Sequence, residues 1–353
     1  MHYLAKPLTI QLEISSNCNL CCTGCCRVDN DTYDIKPNEY IPKNKFLDID
    51  KFKSVLDDPM GTHFKKVEFC GTIDDPLMHP KFLNYLELLN EKQISCQVHT
   101  NASLRTPDYW KEIAYLTKKN PHSMVKFSID GLHDTNHLYR RGSNWEKIME
   151  NAQAFIDAGG RAWWQYIVFD WNRHQVALAR KLAKKMGFDA FKYRHDRSWS
   201  PSSEEAKKIF ETTSPKKYTK LKHYWRARAE KVNPIANLEI NCFAQEEKYY
   251  FIGHNGEVWP CCFLMNANWS PLVHAPQYRQ RFIDNYGKNW NNIYYRTFSE
   301  ILNSDFYSAD LVDSWKSREH GVKCKDRLIR CTETCSVKKR NANPIGNHET
   351  LTF

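Results

Sequence analysis

The chain has 353 residues, 41% hydrophobic and 26% charged, which suits a soluble globular protein with a real core, and its length accommodates an α/β barrel of about 200–250 residues plus an extension. No apolar run approaches the ~20 residues that span a bilayer, and the first residues, Met1 to Pro7, lack the apolar stretch of a secretory signal, so a cytoplasmic protein with no membrane partner is expected. The net charge of +10, concentrated between Lys181 and Lys231 and in Lys338-Lys339-Arg340, attracts anions without naming one: a phosphorylated metabolite, an acidic peptide and nucleic acid all qualify, as does a merely solvated basic face.

Short β-branched or apolar runs alternate with segments of helical period, the pattern of βα units around a parallel sheet. Strands are predicted at Thr9 to Ile14, Lys66 to Cys70, Ser95 to His99, Val125 to Ile129, Trp163 to Phe169 and Ala190 to Tyr193. The helices between them read as Asp48 to Leu56, Lys81 to Leu89, Asp108 to Lys118, Trp145 to Ala158 and Gln175 to Met186, with Gly159-Gly160 and Gly187 placed for left-handed caps. Arg197 to Asn237 is basic and reads as a bridge with helices at Glu204 to Phe210 and Tyr218 to Lys231. From Asn241 to Cys335 the chain becomes aromatic and cysteine-bearing, which marks a second module.

Thirteen cysteines fall mostly into two groups. In a reducing compartment that clustering points to metal sites rather than to a disulfide framework. The first group, Cys18-Asn19-Leu20-Cys21-Cys22-Thr23-Gly24-Cys25-Cys26, directly follows the first strand. Cys18, Cys22 and Cys25 have a CxxxCxxC spacing that can wrap three thiolates around one cubane and leave its fourth iron open. Soft thiolates select iron-sulfur clusters or zinc, and a zinc knuckle or a disulfide cluster is the plainer alternative. In a parallel βα barrel, ligands sit at the carboxyl ends of strands. There the sequence places Gly71-Thr72-Ile73-Asp74-Asp75-Pro76 after the second strand, Thr100-Asn101 after the third and Ser128-Ile129-Asp130-Gly131 after the fourth, with Arg140-Arg141-Gly142 downstream.

Taken together, the cysteine loop and these strand ends resemble the radical S-adenosylmethionine (SAM) superfamily. The resemblance implies an α/β fold, a partial (βα)6 TIM-like barrel open on one side, with a [4Fe-4S] cluster on Cys18, Cys22 and Cys25 and SAM on the open iron. It also implies SAM contacts from Gly71, Asp74, Asp75 and Pro76, from Thr100 and Asn101, and from Ser128, Asp130 and Arg140. Thr72 and Asp74 stand where the family has Asn and Gly. Gly24 replaces an aromatic residue that packs beside the adenine, so adenine contacts are expected from elsewhere. Cys21 and Cys26 read as bystanders, with Cys21 as an alternative ligand.

In the second group, Cys242, Gly256 and Cys261 resemble the CX9–15GX4C signature of SPASM and twitch extensions. Physically the stretch reads as a β-hairpin with a type I′ turn at Asn255-Gly256, which brings Cys242 and Cys261 together. Cys324, Cys331 and Cys335 offer the remaining thiols. The resemblance implies one auxiliary iron-sulfur cluster, expected to be [4Fe-4S], held by Cys242, Cys261, Cys335 and either Cys331 or Cys324; a structural zinc is the rival. Cys70 and Cys96 read as small buried hydrophobes. Cys262 is unassigned, with hydrogen-atom donation as one alternative.

The expected organisation is a barrel over residues 1–197, a basic helical bridge over 198–240 and a small hairpin-plus-helix, cysteine-rich module over 241–353. The resemblance implies an oxidoreductase or modifying enzyme that cleaves SAM reductively to a 5′-deoxyadenosyl radical, fed by a flavodoxin- or ferredoxin-type donor. That radical takes hydrogen from a C–H bond, leading to dehydrogenation, radical bond formation or, alternatively, epimerisation. The substrate is a small polar metabolite or a ribosomally made peptide, expected to carry anionic groups. The lack of an N-terminal winged-helix domain favours the metabolite, and the basic bridge Lys207 to Lys231, suited to an acidic leader, favours the peptide. No catalytic side chain is assigned. A cysteine-rich nucleic-acid-binding protein is the non-enzymatic alternative, against which the strand-end matches argue.

Overall fold

The computed structural model describes residues 7–22, 25, 27, 41–169, 171–195, 239–266, 275–316, 328–336 and 349–353. In chain order the elements are β1 (Thr9–Leu12), α1 (Ile49–Asp57), β2 (Lys66–Phe69), α2 (Phe82–Glu91), β3 (Ser95–Thr100), α3 (Pro107–Thr117), β4 (Met124–Ser128), α4 (Asn136–Tyr139), α5 (Trp145–Asp157), β5 (Ala162–Val168), α6 (Val176–Met186) and β6 (Ala190–His195). There follow α7 (Phe243–Glu246), β7 (Tyr249–Ile252), β8 (Val258–Trp259), α8 (Cys262–Asn266), α9 (Ala275–Tyr286), α10 (Phe298–Leu302), α11 (Leu311–Ser314), α12 (Ile329–Cys335) and β9 (Glu349–Thr352). All six expected strands and five expected helices are present within two residues of their predicted ends. The expected bridge helices lie outside the described residues.

Local chemistry explains where the helices start and stop. The Asp48 carboxylate accepts from the Asp50 and Lys51 N–H groups at 2.7 and 3.2 Å. Asn144 accepts from Lys147 N–H at 2.8 Å, and Thr106 caps α3, whose first residue is Pro107. At the other end of α6, Gly187 takes φ +90°, the left-handed cap that lets Phe188 leave the helix axis.

The chain divides into two compact units. One comprises the described residues of 1–16, 44–72 and 232–347, with strand order β8-β7-β1-β2. Here β1 runs parallel to both β2 and β7, with Ile10 opposite Val67 and Tyr250, while β7 and β8 are antiparallel. Its core sets Ile10, Leu12, Val67 and Phe69 with α1's Phe52 and Val55, and a second aromatic core joins Trp259, Phe282, Trp290 and Phe306. The hairpin differs from the expected two-residue type I′ turn. Gly253 N–H donates to the Glu257 carbonyl at 3.0 Å and Gly256 N–H to the Gly253 carbonyl at 2.9 Å, which leaves a three-residue loop, His254 to Gly256. In it only Gly256 has a positive φ, +80°. A type I turn plus a left-handed residue uses the same Asn-Gly pair one position later. A Cβ at Gly256 would lie 2.5 Å from the Tyr294 ring, so glycine is needed there twice over.

The other unit comprises the described residues of 17–43, 73–231 and 348–353, with strand order β3-β4-β5-β6-β9. Strands β3 to β6 are parallel; β9, unforeseen in the sequence, lies antiparallel on β6 with Phe191 opposite Leu351. Side chains alternate across the sheet. Val98, Val125, Phe127, Trp164 and Phe191 are fully buried, with Trp110 of α3 stacked on Phe127 at 5.3 Å and Phe155 of α5 at 5.6 Å from the same ring. Among the described residues no helix is long and apolar enough to cross a membrane.

Candidate functional site

The first cysteine loop is held by the strand ends of its own unit. Asn101, just past β3, donates from Nδ2 to Asn19 Oδ1 at 2.9 Å and lies 3.8 Å from Cys18 Sγ, and Asn19 in turn donates to Ser103 Oγ at 2.8 Å. On the loop's far side Cys21 N–H donates to the Arg141 carbonyl at 3.1 Å, and Cys25 N–H closes a turn on the Cys22 carbonyl at 3.2 Å. Cys18, Cys22 and Cys25 are half-buried and within electrostatic range of one another, whereas Cys21 is exposed; Gly24 and Cys26 lie outside the described residues.

Burial pushes the Cys22 thiol up to about 12 against the opposing pull of the Arg140 guanidinium, and burial together with the Asp75 carboxylate raises Cys18 further. Crowded, desolvated thiols ionise only when a cation takes over their charge, and metal binding to such a set releases protons. Three soft donors on one short loop, with Cys21 turned to solvent, fit an iron-sulfur cluster with one open iron.

Asp75 joins three segments. Its carboxylate accepts from Thr100 Oγ1 at 2.9 Å, Asn101 N–H at 2.8 Å and Leu77 N–H at 3.1 Å, and its own N–H donates to the Asn17 carbonyl at 3.0 Å. It is 3% exposed, and burial raises its pKa despite these bonds. Its observed partners are therefore the scaffold of the cysteine loop, with Pro76 opening the 3-10 turn Pro76–Met78 that Asp75 caps. Asp74 and Ser128 are half-buried, Ser128 closing β4 opposite Gln165.

Asp130 and Arg140 form the second anchor. Arg140 Nε donates to Asp130 Oδ2 at 2.7 Å, with side chains 16% and 1% exposed. Ile167 N–H donates to the other oxygen at 2.6 Å, and Asn136 and Asn172 hold the Asp130 N–H and carbonyl at 2.9 and 2.8 Å. The Asp130 carboxylate holds the guanidinium in its charged form, and Cys22 adds to that. Leu138, Tyr139, Phe169 and Trp171 pack together beside this pair, Phe169 stacked on Trp171 at 4.3 Å and 5°. Asn136, Asn172 and these rings carry no motif in the sequence.

Gly71 and Thr72 belong to the other unit. There Thr72 donates from N–H and Oγ1 to Glu13 Oε2 at 2.7 and 2.8 Å, while Glu13 Oε1 meets His254 Nδ1 at 2.8 Å with both side chains fully buried. A glutamate at the end of an apolar strand was the available signal for this network.

The second cysteine group converges in that unit as well. Cys242, Cys261, Cys331 and Cys335 are all buried and line one narrow cleft together with Trp315, Arg330 and Thr334. Asn241 N–H donates to the Cys335 carbonyl at 2.8 Å, which brings α12 beside the strand bridge at Ile240. The Cys335 thiol is raised by its bond to Cys242 and then by burial, Cys331 by burial and then by Cys242 and Cys261. Four buried thiols, with those of Cys261, Cys331 and Cys335 raised, are the donor set of a thiolate-bound cluster, while among the described residues no three ligating side chains are arranged to hold a metal ion as they stand. Cys331 is in the cleft; Cys324 lies outside the described residues. Cys262, next to Cys261, is pushed up to about 12 by burial and then by Cys70.

Residues 12–183 match the Radical SAM superfamily, and residues 242–336 match the SPASM iron-sulfur cluster-binding domain. A tungsten-containing aldehyde ferredoxin oxidoreductase cofactor-modifying protein of Pyrococcus furiosus is 28% identical over 123 residues, 35% of this chain, and the chain spans only 31% of that relative's length. Among solved structures, Streptococcus suis SuiB bound to precursor peptide SuiA is similar with a TM-score of 0.52 and 15% identity over 90% of this chain and 68% of that one. Native anSMEcpe with bound AdoMet gives 0.52 and 15% over 96% and 92% of the two chains, and its complex with AdoMet and the Cp18Cys peptide gives 0.51 and 16% over 96% and 91%. The likeness shows the fold: an α/β partial TIM-like barrel with a cysteine-rich extension.

Proposed function

Since the chain belongs to the radical SAM superfamily and carries a SPASM iron-sulfur domain, we propose that it is an enzyme that uses SAM to oxidise or cross-link a side chain of a peptide substrate. The observation that carries this reading is the gathering of Cys18, Cys22 and Cys25 under the Thr100-Asn101 strand end and beside the Asp130–Arg140 pair. When bound, SAM and the reduced [4Fe-4S] cluster supply a 5′-deoxyadenosyl radical able to take hydrogen from a C–H bond.

This chain's residues do the holding. Asn101 and Asn19 fix the loop that presents the thiolates. Asp75 braces Thr100 and Asn101 at the end of β3, and Asp74, Asp75 and Pro76 would meet the SAM amino group. Arg140, fixed by Asp130, holds a positive charge within electrostatic range of Cys22 and would meet the SAM carboxylate; Ser128 and Asp130 are the residues that would meet its ribose. Tyr139, Phe169 and Trp171 keep water from this end of the site. Cys242, Cys261, Cys331 and Cys335 would hold one auxiliary cluster, which would supply an acceptor for the second electron of an oxidation. The donor of the first is a small one-electron carrier of flavodoxin or ferredoxin type, and exposed iron-thiolate chemistry suits the reducing cytoplasm.

Peptide-bound SuiB and anSMEcpe support a peptide substrate. The name of the Pyrococcus relative favours a second reading, modification of an enzyme's cofactor. Incubation of the reduced, reconstituted protein with side-chain-deuterated peptides separates the two: deuterium entering 5′-deoxyadenosine is expected, and its absence with peptides but presence with a deuterated small-molecule substrate overturns the peptide reading.

A further inference from the structure

The second cysteine group is met by side chains from helices that carry no cysteine of their own. Cys242 precedes α7, Cys261 precedes α8, and Cys331 and Cys335 lie on α12. Leu311 of α11 and Trp315, which ends that helix, line the same cleft. Arg281 of α9 is 5% exposed, the most buried arginine among the described residues. Burial, Cys242 and Cys261 push the Cys331 thiol up, and two groups oppose them: a hydrogen bond from the Trp315 side chain and the positive charge of Arg281. An indole has one N–H and no acceptor, so Trp315 donates to the sulfur, and a guanidinium stays charged at any working pH.

Thiolates taken out of water together are costly unless donors and cations meet their charge. The other thiols find backbone groups: Cys261 the N–H groups of Leu264 and Phe263, Cys335 that of Phe243. Cys331 differs from them in drawing on side chains, one of them a full charge. Such donors do more than offset the cost of burial. A thiolate-bound cluster that accepts one electron gains one negative charge, and a nearby N–H or guanidinium stabilises the more negative form more strongly. Hydrogen bonds to the sulfurs, net charge and burial are the levers by which a protein sets the potential of such a centre. Trp315 and Arg281 both push in the direction of easier reduction, which is the direction an electron acceptor requires.

We infer that Trp315 and Arg281 are positioning residues of the auxiliary centre, which raise its reduction potential through Cys331 and so keep it an electron acceptor. The inference rests on the reading of the four cysteines as ligands of an electron-accepting cluster and names the side chains that tune it.

Redox titration with dithionite and mediator dyes, followed by electron paramagnetic resonance, tests it in the anaerobically reconstituted Cys18→Ala/Cys22→Ala/Cys25→Ala chain, where only the auxiliary centre contributes a signal. Arg281→Met is expected to disfavour reduction about tenfold, which for one electron is about 59 mV. Trp315→Phe keeps the aromatic ring and removes the N–H, and should disfavour reduction about threefold. Arg281→Lys retains the charge and should restore most of the Arg281→Met loss. Lys316→Met, next to Trp315 but exposed and paired with Asp313 at 2.7 Å, should leave the potential where it was. Iron content of about four per chain in each variant shows that the centre is intact, and if Arg281→Met loses iron, Trp315→Phe carries the test. An unchanged potential in iron-retaining Trp315→Phe and Arg281→Met, or an equal shift with Lys316→Met, overturns the inference and leaves the cluster reading standing. Zinc without an iron-sulfur signal in the triple-Ala chain refutes the cluster reading itself, and the inference with it.

Discussion

Replacing Arg140 by Leu tests whether the Asp130–Arg140 pair organises the site. The substitution leaves the Asp130 carboxylate 1% exposed, still held by Ile167 N–H at 2.6 Å but stripped of the guanidinium that sat 2.7 Å away. Breaking a fully buried pair from one side costs about 3–5 kcal/mol. Arg140 keeps a 16% exposed side chain through which water can reach the abandoned charge, so the lower end, about 3 kcal/mol, is expected. Removing both charges with Arg140→Leu/Asp130→Leu should cost less than the Arg single variant, because no uncompensated charge remains. Arg140→Lys should fall between, about 1–2 kcal/mol, since an ammonium cannot reproduce the guanidinium geometry. Urea titration of the reconstituted protein followed by tryptophan fluorescence measures all three, while calorimetric SAM binding should weaken least in Arg140→Lys and most in the double variant, which also loses Asp130. A loss below about 1 kcal/mol for Arg140→Leu, or a double variant less stable than Arg140→Leu, would mean that the pair does not hold the site as argued.

Gly256→Val should destabilise the hairpin by about 3 kcal/mol, combining left-handed strain with overpacking against the Tyr294 ring, and chemical denaturation should register it. Cys96, buried and bonded through its strand to Ser123, has its thiol pushed up to about 11 from 9.0 by burial. The unfolded thiol ionises first, so its contribution is complete below pH 9 and is lost as pH rises from 9 through about 11; Cys96→Ala should flatten the fall of the urea midpoint across that window. Cys242→Ser/Cys261→Ser should lower the iron content from about eight to about four per chain, and zinc in place of the lost iron would identify the module as a mononuclear site.

The barrel strands were legible because each short apolar run is bounded by a capped helix whose signal is local: Asp48, Thr106-Pro107, Asn144 and Gly187 act within one turn of the chain. The cysteine positions were legible for the same reason, since Cys18 to Cys25 and Cys331 to Cys335 are spacings within single segments. Long-range pairing left weaker traces. Tyr249 to Ile252 is buried at all four positions, the mark of a strand covered on both sides, yet nothing local says that β1 is its neighbour. Strand β9 is short and polar at three of its four positions, and its one apolar residue, Leu351, lies opposite Phe191. Asp75 was legible as a strand-end carboxylate, but its use in bracing Thr100 and Asn101 depends on residues 25 positions away. The Glu13–His254 pair spans 241 positions, so the sequence offered a charge inside an apolar run without its partner.

The most direct test of the central claim is the yield of 5′-deoxyadenosine from SAM under dithionite reduction, compared between the reconstituted protein and its Cys18→Ala/Cys22→Ala/Cys25→Ala variant. The parent should form 5′-deoxyadenosine and the variant none, while the variant retains the auxiliary cluster and a folded barrel by circular dichroism. Cleavage by the folded variant at the parental rate would show that these three thiols are not where SAM is reduced.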